Sequence, residues 1–108
     1  MDIRDLIDAS YSTAKEKGFW DDPDIHTPTK KAEKIALMHS ELSEMLEGVR
    51  KPGPDQHCPE FTQEEVELAD LLIRAGDYTG AYNLRLIEAI RAKLAYNRSR
   101  PYKHGKAI

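Results

Sequence analysis

Apolar residues recur at steps of three and four along most of the chain, the spacing that places side chains on one face of an α-helix. The first such segment covers residues 2–17, and Gly18 is expected to end it. The second begins after Thr27, a favoured N-cap residue, and Pro28 occupies its first helical position. Its apolar stripe continues towards Gly48, which is expected to weaken the end of this helix.

The second half of the chain predicts two further helices. Thr62 opens helix three, because the glutamate three residues later completes a capping box, and this helix continues to about Gly80. Asn83 is expected to cap helix four, which carries apolar residues at helical spacing and ends near Arg100. The last residues, 102–108, are expected to form an irregular tail.

The number and spacing of these segments predict the fold class. Alternation typical of strands is weak, and four helices joined by short loops favour an all-α, four-helix-bundle-like fold. With 108 residues, the chain is expected to form one domain covering residues 1–108. A helical chain of this size often gains buried surface by pairing with copies of itself.

The composition favours a cytoplasmic protein. The sequence has no apolar run of the about 18 residues that a transmembrane helix needs, so no membrane span is expected. The N-terminal segment is too charged for a signal peptide. Cys58 is the single cysteine, which argues against a disulfide framework and fits a reducing compartment.

Paired acids mark the second and third helices as candidates for chemistry. Glu41 and Glu44 are three residues apart, on a flank of the apolar stripe of helix two. Glu67 and Asp70 lie in a narrow charged stripe between two apolar strips of helix three, a pattern typical of a buried helix. Buried carboxylates need a counter-charge or a metal ion. An antiparallel helix pair can bring these four side chains together.

The types of residue in this set indicate which metal ion would suit it. Four carboxylates favour a hard divalent cation such as Mg²⁺, and no His or Cys joins them at the spacing of a zinc site. Arg74 is expected to neutralise Asp70 or Asp77, which share its stripe, but it cannot neutralise all of the acids. The alternative is a solvated acidic face, because two glutamates three residues apart are common on exposed helices.

Three segments resemble the MazG-like branch of the all-α nucleoside triphosphate pyrophosphohydrolases, in particular its small single-domain members. These segments are HSELSEMLEGVRK, EEVELADLLIRAGDY and KLAYNRSRPYKHGK, and the similarity covers residues 30–106. Its most specific feature is the ExxE pair followed by the ExxD pair. The chain lacks the duplicated halves of the longer MazG proteins, which leaves their housekeeping role open here.

The resemblance implies an activity and a set of ligands. Glu41, Glu44, Glu67 and Asp70 would hold Mg²⁺, with Mn²⁺ as a substitute, and Glu41 or Glu44 would also act as the catalytic base. The reaction would cleave an NTP or dNTP to a nucleoside monophosphate and pyrophosphate, in nucleotide-pool control or sanitation. The family also implies a homodimer, or a tetramer built as a dimer of dimers.

The C-terminal quarter is basic, and Glu88 is the only acid after residue 80, which suggests an anionic ligand or a nucleic-acid tail. Trp20 is expected either to stack on a base or to fill the end of the core. The side chains expected to contact the nucleotide are Lys93, Asn97, Arg98, Lys103, His104 and Trp20.

Several functional alternatives remain open at the level of sequence. The enzyme could be narrower in substrate and prefer dCTP, dUTP or a phosphoribosyl nucleotide. The chain could instead be a non-catalytic helical oligomer that senses a nucleotide. A nucleic-acid-binding module is disfavoured, because it would leave the acid stripe of helix three unexplained.

Overall fold

The computed structural model describes residues 1–105, with side chains described through Lys103, and it is all-helical over that part of the chain. It contains four α-helices and one short 3-10 helix: α1 Ile3–Glu16, α2 Pro28–Arg50, α3 Gln63–Tyr82, α4 Leu86–Ser99 and the 3-10 helix Tyr102–Gly105. No β-strand forms in the described residues, where the only extended pairing is an isolated bridge between Pro54 and Thr62. The all-α prediction is therefore confirmed.

Local capping signals account for the starts of α2 and α3. The hydroxyl of Thr27 accepts a hydrogen bond from the Lys30 backbone N–H at 3.2 Å, as expected for an N-cap residue. Thr62 and Glu65 form the complete capping box, in which each side chain accepts from the backbone N–H of the other. In the turn that ends α1, Gly18 has a φ of 87°.

The prediction that Asn83 caps helix four is wrong. Asn83 has a φ of 51° and ends α3 as its left-handed C-cap, while α4 begins at Leu86 without any side-chain cap. Asparagine favours helix N-caps and also tolerates the left-handed conformation, so its presence between two helices fits either role. The predicted irregular tail contains the short 3-10 helix, and its residues 106–108 lie outside the described part.

The helix α3 occupies the centre of the packed unit, between α1 and α2, whereas α4 makes no contact of comparable extent with any helix. Glycines allow both close approaches. A Cβ at Gly80 would lie 2.6 Å from the Cβ of Tyr11 in α1, and one at Gly48 would lie 2.9 Å from the backbone nitrogen of Glu64. Gly48 therefore serves close packing, and α2 continues past it to Arg50.

A single chain buries few of its apolar side chains. Ile7 and Trp20 are the buried apolar side chains among the described residues, at 3% and 8% exposure. The expectation that α3 is buried on most sides is wrong for the isolated chain, since Leu68, Leu72 and Ile73 remain exposed. The radius of gyration is 16.4 Å, against about 13 Å for a compact domain of this size. The chain, including α4, is thus more extended than a compact domain of its length.

None of the helices in the described residues has both the length and the apolar character needed to cross a lipid bilayer.

Candidate metal centre

Three of the four predicted acids come together between α2 and α3. Glu41 from α2 meets Glu67 and Asp70 from α3, and one carboxylate oxygen of each lies within 4.8 Å of those of the other two. Spacing along the helix explains the α3 pair, because residues three apart lie on the same face. Packing of α2 against α3 supplies the third carboxylate.

Glu44 lies outside this cluster. Its side chain is exposed, and its backbone carbonyl accepts a hydrogen bond from the Gln63 side-chain amide at 3.2 Å. Glu44 thus lies beside the start of α3, whereas Glu41, one turn earlier in α2, pairs with Arg74, about three turns later in α3. The two helices are therefore antiparallel, as expected. The negative charge of Glu44 still reaches the cluster, since it contributes to raising the pKa of Glu67.

Two carboxylates of the cluster, Glu67 and Asp70, resist ionisation. Burial, followed by a hydrogen bond with Glu41 and the charges of Glu41, Asp70 and Glu44, raises the pKa of Glu67 from 4.5 to about 7. Burial also raises the pKa of Asp70, with the charge of Glu41 as the next cause. A divalent cation would relieve the mutual repulsion behind part of both shifts.

Arg74 of α3 forms its hydrogen bond with a residue of α2. Its Nε donates to Oε1 of Glu41 at 2.8 Å, where the sequence predicts pairing with Asp70 or Asp77 along α3. The hydrogen-bond partner is thus the α2 carboxylate, which helix packing brings within reach. The charge of Arg74 lowers the pKa of both Asp70 and Asp77, but burial outweighs it and the net shift of each is upward.

A cavity of about 700 Å³ opens beside the cluster, between the three packed helices. Glu41 and Asp70 lie on its wall, together with Arg74, Asp77 and Lys34. Much of the remaining wall is uncharged and comes from α1, in the apolar residues Leu6, Ala9 and Ala14 and the hydroxyl residues Ser10 and Thr13. The acids thus border a space large enough for a small-molecule ligand.

Trp20 is part of the core and of the cavity wall at once. Its indole Nε1 donates to Oδ1 of Asp77 at 2.6 Å, and the rings of Tyr11 and Tyr82 meet it edge-on. The Lys34 ammonium lies 4.5 Å from its ring centroid. Of the two roles expected for Trp20, the described contacts match the one that fills the core. Stacking on a base stays a prediction, and that ring face already carries Lys34.

The predicted substrate contacts near the C-terminus lie apart from the cavity. Lys93, Asn97, Arg98 and Lys103 belong to α4 or to the 3-10 helix after it, and none of them lines the cavity. The Lys93 ammonium lies 4.6 Å from the ring of Tyr96, its neighbour on α4. His104 lies outside the residues whose side chains are described. Of the predicted contacts on α4 and the 3-10 helix whose side chains are described, a single chain therefore brings none to the cavity wall.

Asp55 is a further acid near the cluster that the sequence does not reveal. It is 8% exposed, and its Oδ2 accepts the backbone N–H groups of His57 and Cys58, both at 2.9 Å. These two hydrogen bonds hold the pKa of Asp55 below the usual value. The negative charge of Asp55 in turn contributes to raising the pKa of Asp70. An Asp after Pro-Gly-Pro suggests a turn that its side chain closes, but nothing local places it beside Asp70.

Comparisons with models of known protein families, with curated proteins and with solved structures found no match. The donor set indicates the chemistry of the site. Among the described residues the cluster offers carboxylate oxygens alone, from Glu41, Glu67 and Asp70. Such a set fits a hard cation, Mg²⁺ or Mn²⁺, better than zinc.

Proposed function

We propose that the chain is a Mg²⁺-dependent nucleoside triphosphate pyrophosphohydrolase of the MazG-like type, acting in nucleotide-pool control or sanitation in the cytoplasm. The main support is the meeting of Glu41, Glu67 and Asp70 on two helices, beside a cavity of about 700 Å³ whose wall includes Glu41 and Asp70. A solvated acidic face would keep its carboxylates apart and their pKa values ordinary. Here the acids converge, and the pKa of Glu67 rises to about 7.

Each acid can be given a role in this proposal. Glu41, Glu67 and Asp70 would hold the cation, which when bound would withdraw charge from phosphorus and orient a water. Glu44 lies on the next turn of α2, outside the cluster, and is free to accept the proton of that water. We therefore assign the base to Glu44 in preference to Glu41, whose Oε1 already accepts from Arg74.

Assembly into a homodimer or a dimer of dimers belongs to the same proposal. Its support is the apolar surface that one chain leaves exposed on α2, α3 and α4, in residues such as Leu42, Leu46, Val49, Leu68, Leu72 and Leu94. Large apolar side chains left exposed in such number are typical of a chain that buries them against a partner. In such an assembly, α4 of one copy could supply Lys93, Asn97 and Arg98 to the cavity of another.

The experiment that tests the function is an assay of product and metal dependence. The protein is incubated with canonical and damaged NTPs and dNTPs, with and without Mg²⁺, and pyrophosphate and monophosphate are measured. Asp70→Asn should abolish turnover and leave helicity intact, whereas Glu64→Gln, an exposed acid of α3, should retain it. Tight Mg²⁺-dependent nucleotide binding without turnover would favour the sensor. Full activity of Asp70→Asn would contradict the ligand assignment.

A further inference from the structure

Arg74 is the one basic residue bonded to the acid cluster among the described residues. Its Nε donates to Glu41 at 2.8 Å, and the Glu41 side chain is only 12% exposed. The Arg74 side chain is 41% exposed, so the pair lies at the boundary between the cluster and open space. Within residues 1–103, neither Nη group of Arg74 makes a hydrogen bond. One edge of the guanidinium is therefore anchored, and the other is available.

Arg74 lines the same cavity as Glu41 and Asp70, so a ligand bound at the cluster would meet the guanidinium. A planar guanidinium presents parallel N–H groups that match two oxygens of a phosphate. The described basic residues of α4 do not line this cavity, whereas Arg74, Lys34 and Lys17 do, and of these three Arg74 bonds to a cluster acid.

The present bond of Arg74 opposes binding of a cation. Arg74 neutralises Glu41, so a metal ion entering the cluster competes with the guanidinium for that carboxylate and is repelled by its positive charge. An anion that arrives with the metal changes this balance, because its oxygens offer the guanidinium a new partner. Two ligands that each relieve the same unfavourable contact bind with positive coupling.

We propose that Arg74 exchanges partners during the binding of substrate, from the Glu41 carboxylate in the metal-free protein to a phosphate of the metal-bound nucleotide. The exchange makes the site bind Mg²⁺ weakly alone and well when a polyphosphate accompanies it. This inference rests on the proposed function, since it takes the cluster to be a cation site. It adds a phosphate-binding residue and an order of events to that function.

Two substitutions separate the charge of Arg74 from its geometry. Arg74→Gln removes the positive charge, so Mg²⁺ alone should bind about three- to tenfold more tightly, while Mg²⁺-tripolyphosphate should bind about tenfold more weakly. Arg74→Lys keeps the charge and loses the fork, so binding of Mg²⁺ alone should stay near that of the original protein, while Mg²⁺-tripolyphosphate still weakens. Isothermal titration calorimetry measures both affinities without turnover and without knowledge of the base.

The matched control is Arg50→Gln, which removes an exposed positive charge paired with Glu47 at the end of α2. It should change neither affinity. Opposite changes in the two affinities of Arg74→Gln support the exchange, because a purely structural role would weaken both together. If Mg²⁺-tripolyphosphate binds the original protein and Arg74→Gln equally well, the exchange is overturned and the cation site stands. If neither Mg²⁺ nor its tripolyphosphate complex binds the original protein, the site and the exchange both fall.

Discussion

Replacing Glu67 by glutamine should stabilise the metal-free protein. The carboxyl of Glu67 is crowded by Glu41 and Asp70, and its burial and their charges raise its pKa from 4.5 to about 7. The glutamine amide has nearly the same shape and can still donate a hydrogen bond to Glu41, but it carries no negative charge. The substitution therefore removes repulsion without opening a cavity.

The pKa shift gives the size of the effect. One pKa unit corresponds to about 1.4 kcal/mol, so the whole shift would correspond to about 3 kcal/mol. Glu67 is partly open to water, which screens the repulsion, and we expect a gain of about 1 kcal/mol in the free energy of unfolding. For a domain of this size, that gain raises Tm by about 4–8 °C.

The pH dependence of this gain has a definite sign. Between about pH 4.5 and about pH 7 the unfolded chain ionises Glu67 while the folded protein keeps the proton, so the stability of the unmodified protein falls as pH rises. Glu67→Gln escapes this loss. Its advantage should be small at about pH 5 and complete at about pH 8.

Thermal unfolding followed by circular dichroism at these two pH values, in the presence of a chelator, measures the effect. Glu64→Gln is the control, because that exposed acid lies on the same helix outside the cluster, and it should give no gain. Added Mg²⁺ should stabilise the original protein and not Glu67→Gln, which has lost a ligand. A loss of stability in Glu67→Gln, or an equal gain at both pH values, would refute the assigned repulsion.

Two further substitutions test the packing that holds the cluster in place. Trp20→Phe removes the 2.6 Å hydrogen bond to Asp77 and should lower the free energy of unfolding, measured by urea titration, by about 1–3 kcal/mol. Asp77→Asn is the control, because it keeps the acceptor oxygen. If Trp20→Phe loses no more stability than Asp77→Asn, the bond contributes little. Gly80→Ala places a Cβ 2.6 Å from Tyr11 and should cost about 1–3 kcal/mol. Gly53→Ala, whose added Cβ meets nothing within 4 Å, should stay within about 0.5 kcal/mol, and equal Tm values for the two alanine variants would contradict the close approach of α1 to α3.

Local chemistry predicts much of the fold. The caps at Thr27 and Thr62 fix where α2 and α3 begin, because each is formed by residues three positions apart in sequence. The position of α4 could not be predicted in this way. Its apolar face has no substantial partner among the helices of one chain, and no local signal tells which surface it covers. The role of Asn83 could not be predicted for a related reason, since asparagine is favoured both as the C-cap of one helix and as the N-cap of the next.

The candidate site likewise has a part that local sequence predicts and a part that depends on how the helices pack. The spacing of three explains why Glu67 and Asp70 share a face, and the charged stripe of α3 marks them as unusual. Which α2 carboxylate joins them depends on the rotation and offset of two packed helices, so Glu41 enters the cluster and Glu44 does not. The partner of Arg74 also lies across that interface, beyond the reach of intrahelical spacing.

The proposed hydrolysis of a nucleoside triphosphate to monophosphate and pyrophosphate at the cluster can be followed directly. Phosphorus NMR of the reaction with Mg²⁺ follows every product at once, and a parallel sample with excess chelator gives the metal-free rate. We expect equal amounts of monophosphate and pyrophosphate, no orthophosphate or diphosphate, and no reaction with the chelator or with Asp70→Asn. Release of orthophosphate with diphosphate, or turnover that persists without a divalent cation, would contradict the proposal.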